Sequence, residues 1–505
     1  MAQSIELTVA ASCLLAAASV NDRGEHMTCQ RLRRGFMVAP LAGLIVSTLW
    51  SDLAYGAAPT LMRYPYLTDM TATSVIVNFA TDTVSPHPTV TWGPPGSSCN
   101  SSMTSISARQ MTVAGKSEYQ FWATLSGLDA GSSYCYRVLQ GGVDLLGLDS
   151  SPSFTTFRPA GTASSFSFAV FGDWGDVGST GTNSDEAHLM GQVAKSGASF
   201  LVTTGDNSYS GGSQTNYGDL AHRGDNTSAV FGPQFWPAVG KSIPAFLPMG
   251  NHGMANGSNY FLNWPQPATV AASGGAYQMQ KYCCLDGTDS ANYPSAWYAF
   301  DYGQARFYVL QAAWANSNTG TGSLYQDDYD YHWAPGSAEY QWLASDLAAH
   351  ASTPMKFAFF HFPLHGDSSS EGTDGYLDGK GKLEDLLATN GVNITFNGHA
   401  HVYERNAQQM GSMVSYVTGG GGSHLEPLSK CSAFDAYAVG WSYSRNAGSA
   451  CGAGSRPTSA SQVFHFLLVK VTGSQATVTP TDENGNVFDV HDVHGYQSSN
   501  QAPVR

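Results

Sequence analysis

Five short stretches gather nearly all the conspicuous Asp, Asn and His residues of the chain beyond residue 165. They read Gly172-Asp173-Trp174-Gly175, Gly205-Asp206-Asn207-Ser208-Tyr209, Gly250-Asn251-His252-Gly253, His361-Phe362-Pro363 and Gly398-His399-Ala400-His401. Each begins where an apolar run stops: Phe166 to Phe171, Phe200 to Thr204, Ile243 to Met249, Lys356 to Phe360 and Val392 to Phe396. An apolar run of this length ending in a polar loop reads as a buried strand, so each loop is expected at the mouth of a sheet. Glycine ahead of the polar residue suits a sharp turn and close backbone approach. Carboxylate, amide and imidazole donors in this mixture fit hard or borderline cations such as Fe, Zn and Mn, not a sulfur-rich structural zinc site. Singly, each stretch is weak. Asp-x-Gly occurs in ordinary turns, and His361 alone would read as a satisfied core histidine. The pair His399 and His401 is stronger, because two imidazoles two residues apart face one cleft where the backbone leaves regular strand. The ordered set, each member after its own strand, carries the metal reading.

The elements between these loops alternate. Trp342, Leu343, Asp346, Leu347 and His350 recur at helical spacing in Glu339 to His350. Leu383, Leu386 and Leu387 mark a second helix, stopped by Asn390-Gly391. Phe464 to Val471 and Ala476 to Thr481 read as closing strands around a turn at Gly473-Ser474. Residues 166–495 are therefore expected to form an α/β domain with active groups at the C-terminal ends of strands. Residues 57–158 follow a different pattern. Val75, Val77 and Phe79 alternate with polar or outward neighbours, as do Val90 and Trp92, and Tyr134, Tyr136 and Val138. About seven short strands separated by turns such as Pro94-Pro95-Gly96 indicate an all-β sandwich of immunoglobulin-like type. The stretch from Leu125 to Val138 resembles the end of a fibronectin type III domain. A small-residue linker, Arg158 to Ser165, joins the two.

Composition narrows the partners. Hydrophobic residues make up 42% and charged residues 12% of the 505, which fits a largely globular chain. A formal net charge of -15 argues against nucleic acid, which is bound mainly through Lys and Arg. Residues 1–56 read as a leader. Arg31, Arg33 and Arg34 precede an apolar run from Phe36 to Trp50, and Ala54-Tyr55-Gly56 offers a cleavage site. The run is broken by Pro40 and is short for a membrane span, so a secreted protein is expected, with no stable membrane association after leader removal. A membrane-anchored form is the alternative, and Met27 marks where such a signal would start. Beyond the leader remain Cys99, Cys135, Cys283, Cys284, Cys431 and Cys451. None has zinc-knuckle spacing, so disulfides are expected, with Cys99–Cys135 and Cys431–Cys451 as local pairs. Cys283 and Cys284 are left open.

The ordered set Asp-x-Gly, Gly-Asp-x-x-Tyr, Gly-Asn-His, His-x-Pro and Gly-His-x-His resembles the purple acid phosphatases, within the calcineurin-like metallophosphoesterases. Gly398 through Arg405 and the run Thr418 to Gly422 are similar as well. With the N-terminal sandwich, the resemblance covers roughly residues 60 to 495. It implies an α-β-β-α catalytic sandwich and hydrolysis of phosphate monoesters by metal-activated hydroxide. It also implies ligands: Asp173, Tyr209 and His401 for Fe(III), Asn251, His361 and His399 for Zn, Mn or Fe(II), and Asp206 bridging. Gly175 stands where many metallophosphoesterases place a histidine, and a Tyr209 phenolate fills the vacated site. His252, beside Asn251, is the first candidate to hold phosphate or protonate the leaving group, and His365 the second. A phosphodiesterase or nucleotide hydrolase, or a non-catalytic binding or adhesion protein, would use the same scaffold.

Two departures from the family lie on the substrate side. Gly253 replaces an acidic residue, and the loop Gly366 to Glu371 is unusual. Tyr325 to Trp333 reads as a cleft lining or as a surface insertion. Residues 425 to 456 read as a stapled loop near the cleft.

Overall fold

Alternating burial builds the N-terminal sandwich. The strands are β1 (Leu61–Thr68), β2 (Ser74–Thr81), β3 (Thr89–Gly93), β4 (Ser105–Val113), β5 (Lys116–Ser126), β6 (Ser133–Gln140), β7 (Val143–Asp144) and β8 (Ser153–Thr155). One layer runs β1-β2-β5-β4; the other runs β3-β6-β7, with β8 on β6. Val75, Val77 and Phe79 meet Val90, Tyr136 and Val138 between the layers, which is the face their alternation predicts. The computed structural model describes residues 58–101, 105–177, 183–209, 211–221, 229–234, 236–253, 257–265, 278–283, 289–295, 297–313 and 332–495. The expected leader, Cys284 and residues 325–331 lie outside them.

The second part supplies β9 (Phe166–Phe171), β10 (Leu201–Thr203), β11 (Ala245–Phe246), β12 (Gln278–Cys283), β13 (Asp289–Ser295) and β14 (Tyr298–Tyr302). These are followed by β15 (Ala305–Val309), β16 (Met355–Phe359), β17 (Ile394–Asn397), β18 (Tyr403–Asn406) and β19 (Val414–Thr418). The last strands are β20 (Asp435–Ser442), β21 (Ala447–Gly452), β22 (His465–Thr472), β23 (Gln475–Asp482) and β24 (His491–His494). Two sheets result. One carries β9, β10 and β11 in parallel; the other runs β14-β15-β16-β17-β19-β18-β20-β21.

A phenylalanine layer fills the space between these sheets. Phe168 and Phe200 stack with centroids 5.2 Å apart, Phe300 and Phe307 at 4.8 Å, and Phe359 and Phe396 at 5.1 Å. Each such side chain contributes about 1.5–3 kcal/mol by leaving water. Helices cover the outer faces. Leu189, Met190 and Val193 of helix Ser184–Lys195 pack with Phe171 and Leu201. Leu343 and Leu347 of helix Ala338–Ala349, with Leu383 and Leu387 of helix Leu383–Thr389, pack with Tyr308 and Phe360. The layers are therefore helix, sheet, sheet, helix, as the resemblance implies.

The boundary at residues 158–165 is not a boundary of the sheet. β11 pairs with β1 in parallel, Thr68 opposite Ala245. The order β24-β23-β22-β9-β10-β11 thus runs on into β1-β2-β5-β4 as ten strands. Buried Arg63 ties the halves further, donating to Gly218 O, Asn263 Oδ1 and Gln214 Oε1 at 3.1, 2.7 and 2.7 Å. Cys99–Cys135 and Cys431–Cys451 are both bonded.

Candidate metal centre

All five loops leave C-terminal strand ends: Asp173 follows β9, Asp206 β10, Asn251 β11, His361 β16 and His399 β17. Fully buried strands such as Met355–Phe359 give these loops a rigid base. Two glycines permit their close approach. A Cβ on Gly250 would lie 2.0 Å from Asp206 Oδ1, and one on Gly398 would lie 2.4 Å from Asp173 Oδ2. Three of the candidate ligands hold left-handed backbone, with φ of 59° at Asp173, 46° at Asp206 and 67° at His399. Such conformations cost about 1–3 kcal/mol each and persist where the surroundings enforce them. Here His399 N donates to both carboxylate oxygens of Asp173 at 3.0 Å. His252 N donates to Asp206 Oδ1 at 2.8 Å.

The side chains converge. Ligand atoms of Asp173, Asp206 and His361 lie within 4.8 Å of one another. His361 Nε2 is 2.7 Å from Asn251 Oδ1 and 3.3 Å from Asp206 Oδ1. His401 Nε2 is 3.4 Å from Asp173 Oδ1 and 3.2 Å from the Tyr209 hydroxyl. Donor atoms bonded to one ion at about 2.0–2.2 Å sit about 3 Å apart, so these pairs have the spacing of shared coordination. Carbonyl acceptors orient two rings: His361 Nδ1 is 2.8 Å from Thr204 O, and His401 Nδ1 is 2.7 Å from His424 O. Nδ1 donates in each, which turns Nε2 toward the carboxylates.

The electrostatics ask for a cation. Burial opposes charge on His361 and His401, yet Asp206 and Asp173 beside them push both imidazoles up to about 9. Burial also works against the Asp206 carboxylate, but His361, His252 and His399 hold it well below the usual range. Burial, then Asp206 and Asp173, raise the Tyr209 phenol well above its ordinary 10. A phenolate there needs positive charge beside it, as a trivalent ion would supply. The residues fit a metal pair.

Residues outside the sequence-predicted set complete the site. Asn207 accepts from Trp174 Nε1 at 2.9 Å and Thr203 Oγ1 at 2.7 Å, fixing the first two loops to each other. Glu186 accepts from Gly175 N at 2.8 Å, so the glycine at the vacated histidine position is held by its backbone. Glu371 Oε2 lies 2.9 Å from His399 Nε2. Burial pushes His399 down against the pull of this carboxylate. The His252 ring packs against Tyr209 with centroids 4.5 Å apart and planes tilted by 40°, and its side chain is 38% exposed. His365 does not join the set. Its Nε2 bonds Glu384 Oε1 at 2.8 Å and its ring lies 5.2 Å from that of Phe434.

Comparison with known proteins agrees with this architecture. Residues 64–156 match the family model of the purple acid phosphatase N-terminal domain, and residues 166–403 match that of the calcineurin-like phosphoesterases. Purple acid phosphatase 23 of Arabidopsis thaliana is 25% identical over 325 residues, 60% of this chain and 62% of that protein. Probable inactive purple acid phosphatase 27 of the same plant is 26% identical over 217 residues, 38% of this chain and 31% of the relative. The chain thus spans less than two-thirds of the length of these relatives. A purple acid phosphatase from yellow lupin seeds superposes with a TM-score of 0.61 at 17% identity, over 86% of this chain and 74% of that one, which shows the shared fold. With both domain models matched in order, the chain belongs to the purple acid phosphatase family of calcineurin-like phosphoesterases.

Proposed function

We propose that the protein is an exported acid phosphatase that hydrolyses phosphate monoesters at a dinuclear metal centre. Asp173, Tyr209 and His401 would hold Fe(III), Asn251, His361 and His399 would hold Zn, Mn or Fe(II), and Asp206 would serve both. The observation that carries this reading is the convergence of donors from five strand-end loops at pairwise distances of 2.7–3.4 Å. Two such cations would supply the positive charge that polarises a phosphoryl group and acidifies water.

The chain's own groups do the rest. Thr204 O and His424 O fix the rings of His361 and His401, so the donors need no reordering when the site loads. His252 is the candidate proton donor. Its backbone is tied to Asp206 and its ring packs against Tyr209 and is part-exposed, which suits a group that holds phosphate or protonates a departing alkoxide. Two disulfides agree with an oxidising compartment. Among the described residues, no helix is long and apolar enough to cross a membrane.

The test is metal content and visible spectrum of the purified protein, with rates on an aryl phosphate monoester and diester across pH. Two ions per chain, a visible band and a dominant monoester rate in acid are expected. A dominant diester rate would move the assignment to a phosphodiesterase. No turnover in metal-loaded protein would make it a binding protein, although all seven donor positions are filled.

A further inference from the structure

The loop after His361 is fastened to residues 425–456 through a pair of buried carboxyl groups that the candidate centre does not use. Asp367 is 1% exposed, and Asp435, the first residue of β20, is 9% exposed. Ser432 serves both. Its Oγ donates to Asp367 Oδ1 at 2.9 Å, and its N–H donates to Asp435 Oδ2 at 2.8 Å. Asp367 Oδ2 and Asp435 Oδ1 remain, both buried and neither with a donor among the described residues. The two carboxyl groups nevertheless bond each other. Ionised carboxylates only accept, so a bond between them needs a proton on one. Backbone contacts hold the pair in register. Ser429 N donates to Asp367 O at 2.8 Å, Ser369 N donates to Pro427 O at 2.9 Å, and Ser368 pairs with Leu428 as an isolated bridge. The Cys431–Cys451 disulfide pins the other side, next to Ser432.

We propose that Asp367 and Asp435 share one proton and form an acid-closed clasp, which holds the loop after His361 in place in acid and releases it toward neutral pH. The groups around the pair set that range. Lys430 Nζ is 3.6 Å from Asp367 Oδ1, but its side chain is 67% exposed, so solvent screens it. Glu404 on β18 accepts from Asp367 N at 2.9 Å, and burial pushes it up to about 8, so it stays neutral where the pair titrates. Glu426 reaches the loop through Ser368 Oγ. His365 offers its carbonyl to Asn406 Nδ2, opposite Asp435 on β18, while its ring is bonded to Glu384. Burial pushes the Asp435 carboxyl up to about 6, with the Ser432 N–H opposing and Asp367 adding to the rise. The folded value lies above the unfolded one, so the bond is complete below about pH 4 and is lost as pH rises through about 6. Above that range two like charges face each other in a buried place, and opening the loop relieves them. The loop ends at Glu371, 2.9 Å from His399 Nε2, so the clasp reaches the candidate centre.

The test is hydrogen exchange, read by mass spectrometry on the purified full chain at about pH 5 and about pH 7, with the intrinsic pH dependence of amide exchange divided out. Peptides covering residues 366–372 should lose protection by about tenfold at the higher pH, the factor expected about one pH unit above the midpoint. Unchanged protection there would overturn the clasp. Strands β22 and β23 should not change, and an equal loss in them would mean that the whole fold opens, which would overturn it too. Asp435→Asn keeps the bond without a titrating proton, because the amide N–H donates to Asp367 while its oxygen still accepts from Ser432. Its protection should differ by less than about twofold between the two conditions. A loss as large as in the wild type would assign the effect to other groups, the histidines of the centre among them, and remove the pair. Asp367→Asn places the amide on the other side of the same bond and should behave alike, so the comparison stands if one variant fails to fold.

Discussion

Tyr209 and His252 pack ring against ring, yet the tasks proposed for them are separable. The Tyr209 hydroxyl meets His401 Nε2, and burial with two nearby carboxylates keeps it protonated unless a strong cation is present. Tyr209→Phe should therefore bleach the visible band while changing stability by about 1 kcal/mol or less, read by absorption and thermal melting. Full colour in the variant would remove the tyrosinate assignment. His252→Ala should leave metal content intact and lower kcat by about 10²–10⁴-fold; loss of metal instead would make His252 a structural support. The convergence of Asp173, Asp206 and His361 was legible because each follows an apolar run that ends in a glycine-containing or aromatic loop. The contact of Glu371 with His399 was not, since the Gly366 to Glu371 loop shows no pattern and is held by contacts with residues 426–428, far along the chain. The surroundings of His365 were hidden for a similar reason. A spacing of four from His361 suggests proximity, but Glu384, buried on a helix that begins one residue earlier, captures the ring.

Loops at strand ends work here because glycine lets backbone and carboxylate touch. The crowding at Gly250 is the clearest case, with Asp206 N only 2.1 Å from where a Cβ would stand. Gly250→Ala must push the Asp206 loop away from Asn251. We expect a loss of about 1–3 kcal/mol in urea unfolding and a purified protein depleted in metal. Normal metal content would mean that the loop yields elsewhere. At this scale the strands read from apolar runs agree with β9, β10, β16 and β17 to within a residue or two. The exception is β11, where Ile243 to Met249 shortens to Ala245–Phe246. Pro244 and Pro248 flank the pair, and proline has no N–H to give a ladder.

Across the whole molecule, buried acids tie stability to pH. Burial pushes Glu404 up to about 8, with Asp435 and Asp367 adding to the shift, and burial with Asp367 lifts Asp435 to about 6. Both folded values lie above the ordinary carboxylate range, so the folded chain keeps protons that the unfolded chain releases. The resulting stability is complete below about pH 4 and is lost as pH rises through about 6 and then 8. Tm should fall over that window, and Glu404→Gln should flatten the upper part of the fall; an unchanged slope would exclude Glu404 as its source. The sandwich and the α/β layers were both legible in hydrophobic periodicity. Their fusion was not, because the join between β1 and β11 rests on a register that neither strand's pattern specifies. That join has a consequence for how the protein can be divided. A chain beginning at residue 166 would lose β1 and leave β11 as a bare edge, with unpaired N–H and C=O groups facing solvent and the apolar surface beneath Phe246 and Phe300 uncovered. Such an edge is a template for other chains. We expect the shortened protein to form larger species than the full chain in size-exclusion chromatography, as it would if the sandwich guards this edge against aggregation.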